Sequence, residues 1–351
     1  MATWVSRLGA VVDDTLLGAV THRFSRRRHT PQTTAAPDLS APHDRRAALL
    51  ELTAAYAGLD LYPVPARAPK ILAEERRSSL PGGGTVVDLK WESGWEPAWS
   101  RVRDEYLSCE PNRYAFARLF LQPGPAPSIA CVHGYGGGNL AVEQRAFPAS
   151  WLYKLGLNVA LPVLPFHGSR RGGPVWPSVN VARTNEGFGQ TVWDLRGLRA
   201  ILAARGGGEL AVTGMSLGGY SASLLATVDE VAFLAPMIPV ASFPDLLWGH
   251  GERSETRQRA ERDGVTLPML RDAMRTHTPL DRAPRVRGRR ALIITADGDR
   301  IAPPEHGARL AQHFECEELR LQGGHLLQTW RGQGFRALGR RLAELGLTKR
   351  R

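Results

Sequence analysis

From Thr85 onward the chain falls into a rhythm that few folds can accommodate. Short apolar runs at Thr85–Trp91, Tyr114–Leu121, Ser128–His133, Asn158–Leu164, Glu209–Thr213, Glu230–Leu234, Arg290–Thr295 and Glu318–Leu321 are separated, in the later part, by helical stretches of ten or more residues. Strands that are apolar along their whole length need cover on both faces. Strands separated by helices run parallel. The pattern predicts an α/β fold: a mostly parallel, doubly wound sheet with helices on both faces. One interval breaks the rhythm. About fifty polar, Arg-rich residues lie between Leu234 and Arg290, with helical stretches around Glu252–Arg262 and Leu267–Arg275. A connection of that length is read as a small helical lid inserted at about 240–288.

Chemistry enters where the run Glu209–Thr213 meets Gly214-Met215-Ser216-Leu217-Gly218-Gly219, followed by a helical stretch rich in small residues. The spacing fits G-x-S-x-G, in which glycines permit a turn tight enough to hold the central serine above the sheet. A serine hydroxyl is a weak nucleophile until a base takes its proton, so an acid and a histidine are expected further along the chain. Both follow at strand ends. Arg290–Thr295 leads into Ala296-Asp297-Gly298-Asp299-Arg300-Ile301-Ala302-Pro303, and the last strand leads into Gln322-Gly323-Gly324-His325.

On these residues the chain resembles a serine hydrolase of the α/β-hydrolase superfamily, over roughly residues 84 to 345. The superfamily's acid loop commonly carries Asp with Pro four positions later, which favours Asp299 over its competitor Asp297. The resemblance implies the catalytic set Ser216, Asp299 and His325. It also implies an oxyanion hole of two backbone N–H groups. One would come from Leu217, at the helix N-terminus after the elbow. The other would come from Tyr135 in His133-Gly134-Tyr135-Gly136-Gly137-Gly138, which resembles the His-Gly-x-x-Gly motif. That glycine-rich turn lacks the lysine of a P-loop and the spacing of a dinucleotide fingerprint. His133 and Cys131 are read as core residues. The loop Pro162–Arg171 resembles one found beside such active sites, so Arg170 or Arg171 could hold an anionic substrate group, or could instead serve loop carbonyls. Trp176, Trp193 and Trp248 are spaced as wall or lid residues, with core packing the default for Trp193 in its helix-like run and Trp248 the candidate substrate contact. The reaction implied is ester cleavage through an acyl-enzyme, esterase- or lipase-like, with no metal and no cofactor. An acyltransferase or peptidase with the same triad, or a non-catalytic hydrolase-like interaction protein, stays open as an alternative.

Charge and cysteine count limit the partners. The formal charge is +11 over 351 residues, but only four of the 45 basic residues are lysines. Residues 1–50, 250–290 and 331–351 hold an excess of three, five and six positive charges, so the remainder is mildly acidic. No basic run is interleaved with aromatics, and a nucleic-acid partner is not expected. Three widely spaced cysteines, Cys109, Cys131 and Cys316, form neither a zinc ligand pattern nor a disulfide frame. No apolar run reaches membrane-spanning length, and Asp13 and Asp14 break a signal-like stretch, so a cytoplasmic protein is expected.

Before the rhythm lies a different region. Trp4, Leu8, Val11, Val12, Leu16, Val20 and Phe24 recur at helical spacing ahead of Arg26, Arg27 and Arg28. Such an amphipathic helix either docks its apolar stripe on the protein body or associates peripherally with an anionic membrane through residues 1–28. Residues 29–43 read as a linker, completing a segment 1–43. Residues 44–83 read as an N-terminal helical extension, a helix over 44–60 followed by loops, and 84–351 as the hydrolase domain. The partner expected is a small-molecule ester or a lipid; oligomeric state is not legible.

Overall fold

The computed structural model describes residues 4–13, 45–173, 175–252, 254–329 and 331–349. The expected linker 29–43 and the basic cluster Arg26–Arg28 lie outside the described residues. In chain order the elements are α1 (residues 4–13), α2 (Arg45–Ala57), β1 (Ile71–Ser79), β2 (Thr85–Glu92), α3 (Arg103–Leu107), β3 (Tyr114–Leu121) and β4 (Ala126–Val132). There follow α4 (Leu140–Ala146), α5 (Ala149–Lys154), β5 (Asn158–Pro162), α6 (Val181–Ala204), β6 (Gly207–Met215), α7 (Leu217–Val228) and β7 (Phe233–Met237). The chain continues through α8 (Phe243–His250), α9 (Glu255–Arg262), α10 (Leu267–Met274), β8 (Leu292–Ala296), α11 (Pro304–His313), β9 (Glu317–Leu321) and α12 (Arg331–Glu344).

The strands form one sheet in the order β1-β2-β3-β5-β4-β6-β7-β8-β9. The first three pair antiparallel, β3 joins β5 antiparallel, and every pairing from β5 to β9 is parallel. Strands β5, β7 and β8 are buried at every position. The apolar residues divide between two faces with the two-residue period of a strand. Ala130 and Val132 join a core with α2, α6 and α7, while Ile129 and Cys131 join one with α5 and α12. This is the doubly wound sheet that the alternation implies. Strand β7 lies three residues further along than the expected Glu230–Leu234 and carries Pro236 within it, a residue that ordinarily argues against a central strand.

The reading of 44–83 as a helical extension needs correction. Helix α2 is present, but Ile71–Ser79 forms β1, the outermost strand. Its Ala-Glu-Glu-Arg-Arg-Ser-Ser sequence offers no apolar alternation, because neither of its faces is covered. Helix α2 supports the insertion from behind: Arg45 pairs with Asp263, and Tyr62, beyond the helix, donates to the Thr276 carbonyl at 3.0 Å. The insertion itself is helical, built from α8, α9 and α10 between β7 and β8.

Of the expected apolar stripe, Leu16, Val20 and Phe24 lie outside the described residues; over residues 4–13 helix α1 docks on the body, but not by Trp4, Leu8 and Val11. Ser6, Gly9 and Asp13 are buried, whereas Trp4 is 75% exposed and Leu8 and Val11 also face outward. Over residues 4–13 the helix therefore meets the body by its small and polar face. The reason is steric: the surface it meets is bare backbone, and only small residues let two backbones approach. A Cβ on Gly9 would lie 2.6 Å from the Gly324 nitrogen.

Candidate active site

Because β4, β6, β8 and β9 run parallel, their carboxyl ends open on the same edge of the sheet. Ligand sites of open α/β sheets form at that edge. Each of the four strands delivers one of the segments singled out in the sequence.

At the end of β6, Ser216 holds φ +54°, ψ −114° as the residue before α7. Its N–H donates to the Met237 carbonyl at 3.0 Å, and its own carbonyl accepts from Tyr220 at 2.9 Å. The flanking glycines are obligatory. A Cβ on Gly214 would sit 2.3 Å from the Gly218 carbonyl oxygen, and one on Gly218 would sit 1.9 Å from that of Val132. Beyond Met237, the β-branched Ile238 also holds a positive φ, +43°. Conformations of this kind cost about 1–3 kcal/mol each and persist only where the surroundings fix them.

Asp299 follows β8 and His325 follows β9. The His325 Nδ1–H donates to Asp299 Oδ2 at 2.7 Å, while Asp299 Oδ1 accepts from the N–H groups of Ile301 at 2.9 Å and Ala302 at 2.7 Å. Burial pushes the Asp299 carboxyl up from its ordinary value, opposed by the imidazole it faces and by the Ala302 N–H. Asp297 points elsewhere: it is exposed and faces Arg320 at 3.9 Å. With Nδ1 engaged, Nε2 is the imidazole nitrogen left for other chemistry. Among the described residues no hydrogen bond links Ser216 to His325, a contact that commonly tightens only with substrate bound.

The glycine-rich turn after β4 lies against the elbow, since a Cβ on Gly134 would touch that of Ser216 at 3.6 Å. Tyr135 is exposed on this turn. Leu217 opens α7, so its N–H has no acceptor within the helix and points out of its positive end. His133 is buried and spans two loops, Nδ1–H to the Gly134 carbonyl at 2.8 Å and Nε2 from the Leu164 N–H at 3.0 Å. Burial lowers its pKa to about 3, so it stays neutral. Cys131 is likewise buried, which pushes its thiol well above the ordinary range.

The loop after β5 packs beside this turn, His167 lying 5.8 Å from Tyr135 and 6.0 Å from Trp176 between ring centroids. Here the arginine pair separates. Arg170 is fully buried, donates to the carbonyls of Val163 at 3.0 Å and Asn112 at 3.1 Å, and pairs with Asp194 at 2.8 Å. It is a loop anchor and not a substrate-facing cation, because its charge is met inside the core. Arg171 is exposed. Trp176 is buried and bonds the Thr184 carbonyl; Trp193 bonds that of Ser93. Trp248 is partly exposed on α8 with the Arg257 guanidinium 4.7 Å over its ring.

One contributor escaped the sequence reading. Asp13 of α1, wholly buried, accepts hydrogen bonds from the backbone N–H of Arg300, His325 and Leu326 at 3.1, 2.8 and 3.0 Å. In the sequence Asp13 only interrupts an apolar stretch, and nothing local signals a partner some 300 residues away.

The sheet order, the parallel strand ends and the helices on both faces are those of the α/β-hydrolase fold. Residues 104–248 match the model of the family described as Alpha/beta hydrolase domain containing 18. The chain is 34% identical over 246 residues to the uncharacterized protein Rv2627c of Mycobacterium tuberculosis (strain ATCC 25618 / H37Rv), a match covering 67% of this chain and 58% of that protein's length. It is similar in structure to acetyl xylan esterase 1 from Thermoanaerobacterium sp. JW/SL YS485, with TM-score 0.56, 15% identity and coverage of 91% of this chain and 99% of the other. The acetyl xylan esterase from Paenibacillus sp. R4 gives TM-score 0.54, 16% identity and coverage of 89% and 99%. An S-formylglutathione hydrolase from Agrobacterium tumefaciens gives 0.51, 14%, 78% and 99%. At these identities the structures speak to the fold.

Proposed function

We propose that the protein is a serine hydrolase that cleaves a carboxylic ester of a small molecule or lipid through an acyl-enzyme. The observation that carries this reading is the buried Asp299–His325 hydrogen bond, formed at the sheet edge where Ser216 stands on its strained turn. In the proposed mechanism His325 Nε2 takes the Ser216 proton as Oγ attacks the substrate carbonyl, and Asp299 holds the imidazole and stabilises its cation. The N–H groups of Leu217 and Tyr135 stabilise the oxyanion. The alkoxide leaves with the proton from His325. Water, activated by the same histidine, then releases the acyl group.

The esterases among the structurally similar proteins accord with this class, and the exposed Tyr135, on the turn against Ser216, and Leu326, beside His325, accord with an apolar acyl group. Arg171 remains an exposed cation for an anionic substrate group. A fluorophosphonate probe tests the proposal: it should label the wild-type protein and fail to label Ser216→Ala. Labelling that persists in the variant overturns the assignment.

A further inference from the structure

We infer that Asp13, on the buried face of α1, is a positioning residue that sets the acid against the histidine. The inference rests on the proposed roles of Asp299 and His325. A single oxygen, Asp13 Oδ2, accepts both the N–H of Arg300, the residue after the acid, and the N–H of His325 itself, while Oδ1 takes Leu326. The span between the two loops is thereby fixed through one atom. Two further backbone bonds run directly between the loops, Asp297 N–H to the Leu321 carbonyl at 2.9 Å and Gly298 N–H to the Gly323 carbonyl at 2.8 Å. Both lie nearer the strand ends, short of Asp299 and His325. The Asp13 carboxylate holds the backbone of the histidine itself and of the residue next to the acid.

The helix is seated for this task by direct backbone contact. A Cβ on Gly298 would fall 2.1 Å from the Ser6 carbonyl oxygen, and one on Gly324 would fall 2.9 Å from Gly9. The glycines of the acid and histidine loops are thus explained by the helix that lies on them. Burying a carboxylate is costly unless its lone pairs are met, and here three N–H groups meet them. An apolar side chain would fill the space at lower cost but would leave those three donors without an acceptor.

The experiment compares Asp13→Asn, Gly9→Ala and Trp4→Ala in the full chain on a water-soluble p-nitrophenyl ester. Asparagine presents an NH2 group where one backbone N–H needs an acceptor, and the methyl group that Gly9→Ala adds forces the helix off Gly324. Both variants should lower kcat by about 10- to 100-fold with KM little changed, as a small displacement of reacting groups does. Trp4→Ala, on the exposed face, should behave as wild type. The downfield proton resonance of the His325 Nδ1–H bond to Asp299 should be present in wild type and in Ser216→Ala, and lost or broadened in Asp13→Asn. In wild type, the amides of His325 and Leu326 should exchange with solvent as slowly as those of β8, a reading that needs no variant to fold.

An Asp13→Asn protein with kcat within about twofold of wild type and its downfield resonance intact would overturn the inference. So would rapid exchange of the two amides in wild type. Should the wild-type protein neither hydrolyse esters nor react with the probe, the proposed function fails, while the resonance and exchange data still decide whether Asp13 holds the two loops.

Discussion

The serine elbow and the acid–histidine edge are built in opposite ways. At the elbow the turn that shapes Ser216 is written in adjacent residues, a strand, a helix and flanking glycines, which then fit against the Val132 carbonyl of β4 and the Met237 carbonyl of β7. At the other edge, Asp299 and His325 stand on two loops joined by a helix near the chain's start, through Asp13. A group positioned by its neighbours in sequence tolerates change elsewhere in the chain. A group positioned from 287 or 312 residues away does not.

The comparison can be broken most decisively at the acid. If the proposed mechanism holds, Asp299→Asn should lower kcat on a short p-nitrophenyl ester by about 10^4-fold, as removal of such an acid does. Asp297→Asn, whose side chain faces Arg320, should leave kcat essentially unchanged. Equal losses in the two variants would show that the loop's charge matters and not the hydrogen bond to His325.

At the elbow the penalty should appear as stability. Gly218→Ala places a Cβ 1.9 Å from the Val132 carbonyl oxygen, and urea unfolding should report a loss of at least about 3 kcal/mol. A smaller loss would mean that the β4 turn yields and that the elbow is less locally determined than its geometry implies.

A gentler probe is pH. Burial lowers His133 and His277 to about 3 and His167 and His306 to about 4, from an ordinary value near 6.5. Between these values the unfolded chain binds protons that the folded chain does not. The stability these neutral imidazoles allow is therefore complete above pH 6.5 and declines as pH falls toward 4 and then 3. Each contributes a slope of up to about 1.4 kcal/mol per pH unit. Replacing His277, which stacks on Phe188 at 4.3 Å, by Gln should remove about one such slope in urea unfolding followed from about pH 7 to about 4.5. The smallest effect is expected at Arg171→Ala. Stability should not change, and KM should rise only for esters that carry an anionic group.

Much of this architecture was legible because its signals are local. Seven of the eight strand runs overlap their strands closely, the central parallel ones because strands covered on both faces are apolar throughout, and Gly214, Ser216 and Gly218 declare the tight turn they make. Of the two carboxylates on the loop after β8, Asp299 is the one whose side chain meets His325. What stayed hidden depended on distant partners. Strand β1 has no apolar pattern because no layer covers it. For Arg170 the sequence leaves a substrate anion and loop carbonyls open, and only Asp194 of α6 beside it explains how its charge is buried. Asp13 reads as a break in an apolar helix, because the three amides it binds come from the other end of the chain.

Strand β1 has a consequence for how the protein behaves among copies of itself. Among the described residues the sheet has nine strands and ends on each side in a strand with one neighbour, leaving a rim of peptide groups that invites growth from one molecule into the next. On one rim the sequence Glu74-Glu75-Arg76-Arg77 would have to give up its water before another strand could join, and on the other Glu317, Glu318 and Arg320 set the same condition. The residues that made β1 unreadable as a strand are those that discourage the sheet from polymerising.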